Sequence, residues 1–170
     1  SGSVTARSAT AIGNAATPAN ISLSSLYGDV VAATVTSTSG TITLSSLTEQ
    51  VVVRRVGMNG ADVVAQDGDV VITADAGGIR LEGKVRAGGA NGDVMLNSNQ
   101  GSLEMLLPTE IQAASTLVIV TPNAVPLAQP GVQVSGQHLS ITSQLGPSKS
   151  PPSVLNGFPS VEINRTDAGD

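Results

Sequence analysis

A short motif of two apolar residues flanking a third position recurs along the chain. It stands at Ile21-Ser22-Leu23, Ile42-Thr43-Leu44, Val70-Val71-Ile72, Val94-Met95-Leu96, Leu117-Val118-Ile119, Leu139-Ser140-Ile141 and Val161-Glu162-Ile163. Successive occurrences are 21, 28, 24, 23, 22 and 22 residues apart. A period of two sends alternate side chains inward and outward, so each motif predicts a short strand. Most are preceded by turn residues, at Gly40-Thr41, Gly68-Asp69, Gly92-Asp93 and Gly136-Gln137. Gly and Asp suit tight corners, because Gly accepts unusual backbone angles and Asp bonds nearby main chain.

Each interval holds further alternating segments, among them Ile79-Arg80-Leu81, Lys84-Val85-Arg86, Leu103-Glu104-Met105 and Val132-Gln133-Val134. Two or three strands per interval match one coil of a parallel β-solenoid, where each coil pairs only with its neighbours. The expected fold is all-β: a single-domain parallel β-solenoid, or β-helix, of about seven coils. The usual chirality of parallel crossovers makes it right-handed. At about 4.8 Å per coil it forms a rod on the order of 30 Å long. A β-sandwich of short strands competes, but the regular spacing favours the solenoid. Residues 1–20 read as an N-terminal cap or flexible arm and residues 21–143 as the coils. Residues 144–170 read as a Pro-rich loop and C-terminal strands or cap, since Pro151-Pro152 cannot join a ladder.

Composition narrows the function classes. The chain has 170 residues, enough for one domain, with 21 Val and 35 Ser plus Thr. Tyr27 and Phe158 are its only aromatic residues, as a narrow interior without room for rings requires. Eight basic residues face thirteen acidic ones, a net charge of −5. With no aromatic stacking platform, that balance argues against nucleic acid as a partner. The longest apolar runs, such as Leu117–Val120, are too short to cross a bilayer as a helix. Ser1-Gly2-Ser3 does not open a signal peptide. With no cysteine and one histidine, His138, neither a multi-histidine zinc site nor a Cys–His couple is available.

The run from Gly68 to Leu96, with Gly68-Asp69-Val70-Val71-Ile72 and Gly92-Asp93-Val94-Met95-Leu96, resembles the coils of an adhesin-type β-solenoid family. The stretch from Gly101 through Leu107-Pro108 and Leu117 to Asn123 is similar to a second segment of that family. Filamentous-haemagglutinin-type β-helix adhesins are the broader relatives. The resemblance covers about residues 28–142. It implies a non-enzymatic binding or scaffold module, extracellular or on a bacterial cell surface, with an intracellular scaffold as the other location. The expected partner is a protein or glycan surface ligand, and open solenoid ends suggest self-association as a stalk or assembly subunit.

Three residue groups are candidates for chemistry. Arg54, Arg55, Arg80, Lys84 and Arg86 supply most of the positive charge, and stacked coils would gather them into a basic face for an acidic glycan. Glu82, Asp75 and Asp93 are close enough to neutralise it, and a solvated, mixed-charge face is the reading preferred here. Asp67 and Asp69 flank Gly68, and paired carboxylates are what a carbohydrate hydrolase or lyase on a β-helix would use; ordinary corner chemistry is the reading preferred here. Gly88-Gly89-Ala90-Asn91-Gly92-Asp93 approaches a calcium-binding nonapeptide but occurs once, whereas such sites share ions between tandem turns. The sequence therefore predicts no enzyme, no cofactor and no metal site. The glycosylation sequons Asn20-Ile21-Ser22 and Asn164-Arg165-Thr166 matter only in a eukaryotic secreted protein.

Overall fold

The computed structural model describes residues 2–55, 61–106, 108–127, 129–143 and 158–165. The expected loop over 144–153 and the start of the expected C-terminal strands at 154–157 lie outside the described residues. Among the described residues there is no helix. In chain order the strands are β1 (Val4–Ala11), β2 (Ile21–Ser25), β3 (Val30–Ser37), β4 (Ile42–Ser46), β5 (Val51–Val53), β6 (Ala61–Ala65), β7 (Val70–Ala74) and β8 (Ile79–Leu81). They continue as β9 (Gly83–Ala87), β10 (Val94–Ser98), β11 (Leu103–Met105), β12 (Thr109–Ala113), β13 (Thr116–Thr121), β14 (Val132–Ser135), β15 (His138–Ser143) and β16 (Ser160–Arg165).

The strands pair in parallel, each with the equivalent strand one coil away. One sheet runs β2-β4-β7-β10-β13-β15-β16. Its registers align Ile21 with Ile42, Ile42 with Val70, Val70 with Val94, Val94 with Leu117, Leu117 with Leu139 and Leu139 with Val161. The seven recurrent motifs of the sequence are thus the seven strands of this sheet, bounding about six solenoid turns. The larger sheet divides lengthwise at β3. Residues 30–32 of that strand pair with β5, and residues 34–37 pair with β6. One flank then runs β5-β8-β11 and the other β6-β9-β12-β14. β1, within the segment read as cap or arm, pairs along β3 at the edge of this sheet.

The alternating pattern sets the core. Ile42, Leu44, Val70, Ile72, Val94, Leu96, Leu117, Ile119, Leu139 and Ile141 are all fully buried, two stacked columns from one sheet. Val51, Val53, Val63, Val85 and Ile111 close the interior from the other. Burying each such side chain contributes about 1.5–3 kcal/mol. Ala32, Ala65, Ala74 and Ala87 are buried among these columns. At the C-terminal edge Val161 and Ile163 continue the two columns but remain about two-fifths exposed, at 39% and 43%, because no described coil lies beyond them.

The corners are held by a repeated hydroxyl bond. Ser25 Oγ donates to Gly2 O at 2.9 Å, Ser46 Oγ to Gly28 O at 2.8 Å and Ser98 Oγ to Gly77 O at 3.4 Å. Thr121 Oγ1 donates to Gly101 O at 3.5 Å and Ser143 Oγ to Asn123 O at 3.0 Å. These hydroxyls occupy one inward column, in which Ala74 stands between Ser46 and Ser98. Each satisfies a corner carbonyl that the ladders leave unpaired, as burial requires. The glycines stack tightly: a Cβ on Gly101 would collide with the main chain of Gly77, and one on Gly77 with that of Glu49.

Candidate functional site

Of the paired carboxylates, Asp69 is built into corner structure and Asp67 stands exposed. Asp69 Oδ1 accepts the main-chain N–H of Asp93 at 3.0 Å, and Asp93 Oδ1 accepts that of Thr116 at 2.8 Å. Asn20 Oδ1 accepts the N–H of Thr41 at 2.8 Å in the same manner. Each side chain bonds the amide one coil further on, where the chain turns into the next strand. Asp67 is exposed, and its Oδ1 lies where a Cβ on Gly89 would fall. Gly89 has φ +80, a conformation that favours glycine. Asp75 Oδ1 accepts a hydrogen bond from Asn99 Nδ2 at 2.6 Å. Among the described residues no three His, Asp or Glu side chains converge as a metal-ligand set.

The basic residues lie among carboxylates: Arg54 and Arg80 line one groove with Asp29 and Glu82. Arg80 and Glu104 are outward neighbours on the first flank, and Arg80 Nε meets Glu82 Oε1 at 3.0 Å, an ion-pair contact without the alignment of a hydrogen bond. Lys84 lies on the other flank, in a column that reads Asp62, Lys84, Glu110 and Gln133. Its Nζ pairs with Glu110 Oε2 at 3.1 Å, and opposite charges side by side on adjacent strands favour the pairing. Arg86 is exposed two residues further along that flank, between Val64 and Gln112. A groove of about 420 Å³ over this column contains Arg55, Asp62, Lys84 and Glu110, so its charges balance.

Arg54 and Arg55 instead come together with Arg7, which sequence spacing did not single out. Ala6, Ala32 and Val53 lie in register on β1, β3 and β5. The next residues, Arg7, Ala33 and Arg54, therefore meet at the corner between the two flanks. Arg54 N–H donates to Ala32 O at 2.8 Å, which holds the column to this spacing. Arg7, Arg54 and Arg55 line an open groove of about 440 Å³ with Thr5, Ala6, Val31 and Ala33. No carboxylate lines it, and among the described residues none of the three arginines makes an ion pair. The only signal for Arg7 in the sequence is its place one residue after an inward Ala, which means nothing before the register is known.

His138 sits at the other end of the molecule, where Nδ1 shares a hydrogen bond with Ser160 Oγ at 2.8 Å and Nε2 lies 3.9 Å from Glu162 Oε2. Ser160, His138 and Glu162 thus meet on the exposed surface of β15 and β16. Asn164 Nδ2 donates to Glu162 Oε1 at 2.9 Å, so both sequon asparagines carry side-chain hydrogen bonds within the solenoid. Comparison with protein-family models, with curated proteins and with solved structures returns no match to this chain.

Proposed function

We propose that this chain is a non-enzymatic, adhesin-like binding or scaffold module that works at the cell surface or outside the cell. The observation that carries the reading is the use of Asp69 and Asp93 as main-chain acceptors within the corners. Carboxylates bound in this way serve the coil stack. The outward columns supply the second support: Ser, Thr, Asn and charged side chains repeat at the coil spacing on a rigid body, an arrangement suited to avidity along an extended ligand.

The test pairs binding with turnover. Fluorescently labelled protein is titrated onto intact cells and onto immobilised polysaccharides, while reducing ends and unsaturated products are assayed in the same samples. Saturable binding without product release is the expected result. Product release that Asp69→Asn abolishes would instead make the chain a hydrolase or lyase. Protease shaving of intact source cells, followed by antibody, tests the location: the domain's signal is expected to disappear without lysis.

A further inference from the structure

We infer that Arg7, Arg54 and Arg55, arranged around Ala33, form a binding groove for an anionic polysaccharide, a chain bearing repeated carboxylate or sulfate groups. The inference rests on the binding-module reading and names the ligand class of that module.

Charge is the first argument. In a chain of net charge −5, three guanidinium groups share one groove without a carboxylate among its lining residues. The nearest carboxylates are Asp29 and Glu82, which line an adjoining groove with Arg54, and Asp62 and Glu110, which line another with Arg55; Glu110 pairs with Lys84. Glu82 Oε1 faces Arg80 at 3.0 Å, and its Oε2 accepts the main-chain N–H of Arg55 at 3.4 Å. Asp29 Oδ1 accepts the N–H of Gln50 at 3.2 Å. The three guanidinium forks are left to a ligand, and such forks take carboxylate or sulfate oxygens in pairs.

Spacing then selects a chain over a single ion. Arg7 and Arg54 stand two coils apart, about 10 Å at the main chain. Ala33 occupies the coil between them and is itself buried, 4% exposed, so no other long side chain stands between the two arginines. A small anion can satisfy the forks only by drawing them together at one point, whereas successive acidic groups along a polymer meet them where they stand. The groove is open, unlike the enclosed sites that bury small molecules. Its floor of Ala6, Val31 and Ala33 suits the apolar face of a sugar ring, and Thr5 adds a hydroxyl at its edge.

Other polyanions fit less well. Single-stranded nucleic acid needs aromatic platforms, but Phe158 is buried and Tyr27 lies on the corner after β2. An acidic peptide that binds as an added strand needs free main-chain groups. Beneath the groove β3 is paired on both sides, by β1 and β5, whereas β1 is an edge strand; the polyglutamate comparison below tests a peptide at that edge.

The experiment measures binding of the whole chain to immobilised polygalacturonate and dextran sulfate, with neutral dextran and polyglutamate as comparisons. Binding to one or both acidic polysaccharides is expected, weakening as salt is raised. Preference between the two tells a carboxylate ligand from a sulfate one. Arg7→Ala and Arg54→Ala should each lower affinity roughly tenfold. Thr43→Glu removes the same unit of net charge on the smaller sheet and should leave affinity within about twofold. Equal loss with Thr43→Glu, or equal binding of polyglutamate, overturns the proposal. So does failure to bind either acidic polysaccharide; if cell binding persists in that case, the module reading survives and only the groove assignment falls.

Discussion

Asp69 Oδ1 accepts the main-chain N–H of Asp93 at 3.0 Å, one coil further along the solenoid. The bond requires an oxygen at that position and no negative charge. Asp69→Asn retains an acceptor and should change unfolding free energy by less than about 0.5 kcal/mol. Asp69→Ala leaves the partly buried amide of Asp93 without its partner and should cost about 1–3 kcal/mol. Urea denaturation of the three proteins checks the pair, and an Asn variant as unstable as the Ala variant would refute the acceptor role.

The glycine stack makes a sharper prediction. A methyl group at Gly101 would collide with main-chain atoms of Gly77, which cannot rotate away. Gly101→Ala should therefore destabilise by about 3 kcal/mol, the upper part of the range for overpacking. Gly2 has open space around its Cα, so Gly2→Ala should leave the midpoint of thermal unfolding unchanged. Equal midpoints for the two variants would contradict the close coil approach.

Ala74 interrupts the column of corner hydroxyls between Ser46 and Ser98. In the neighbouring coils the hydroxyl donates to the stacked corner carbonyl, and Glu49 occupies the matching corner beneath Gly77. Ala74→Ser should place a donor against that carbonyl and raise stability by about 0.5–1 kcal/mol. Ala74→Val adds bulk without a donor and should lower it. Calorimetric midpoints in that order support the corner rule; the reverse order removes it.

Core position should govern the cost of truncation. Leu96 is fully buried in the middle of its column, and Leu96→Ala should cost about 2–5 kcal/mol through lost burial and the cavity left behind. Leu23 belongs to the same inward column but lies on the edge strand β2, partly buried. Leu23→Ala should cost less than half as much. Comparable losses at both sites, measured by denaturant unfolding, would mean that the edge coil is covered as completely as the centre.

The solenoid was legible because its local and long-range patterns coincide. Val70-Val71-Ile72 and Val94-Met95-Leu96 show a strand by alternation, and their spacing of 24 residues is also their pairing register. The corner role of Asp69 and Asp93 was legible for the same reason, since Gly-Asp recurs at equivalent places. The division of the larger sheet was not. β3 is one continuous strand of 8 residues, yet it pairs with β5 and β6 at different places along its length, and nothing in Val30–Ser37 announces that split.

The candidate site divides along the same line. Alternation by itself determined that Arg80, Lys84 and Arg86 face outward, because Ile79, Leu81 and Val85 must face in. Only the tertiary structure decided which charges meet. It sets Glu110 beside Lys84 from the next coil and brings Arg7 to Arg54 across the intervening Ala33. The physical reason is that burial is dictated by a residue's own strand, whereas a surface charge acquires its neighbours from other coils. Those neighbours depend on loop lengths as much as on residue type, so the inward columns could be read from the chain and the arginine groove could not.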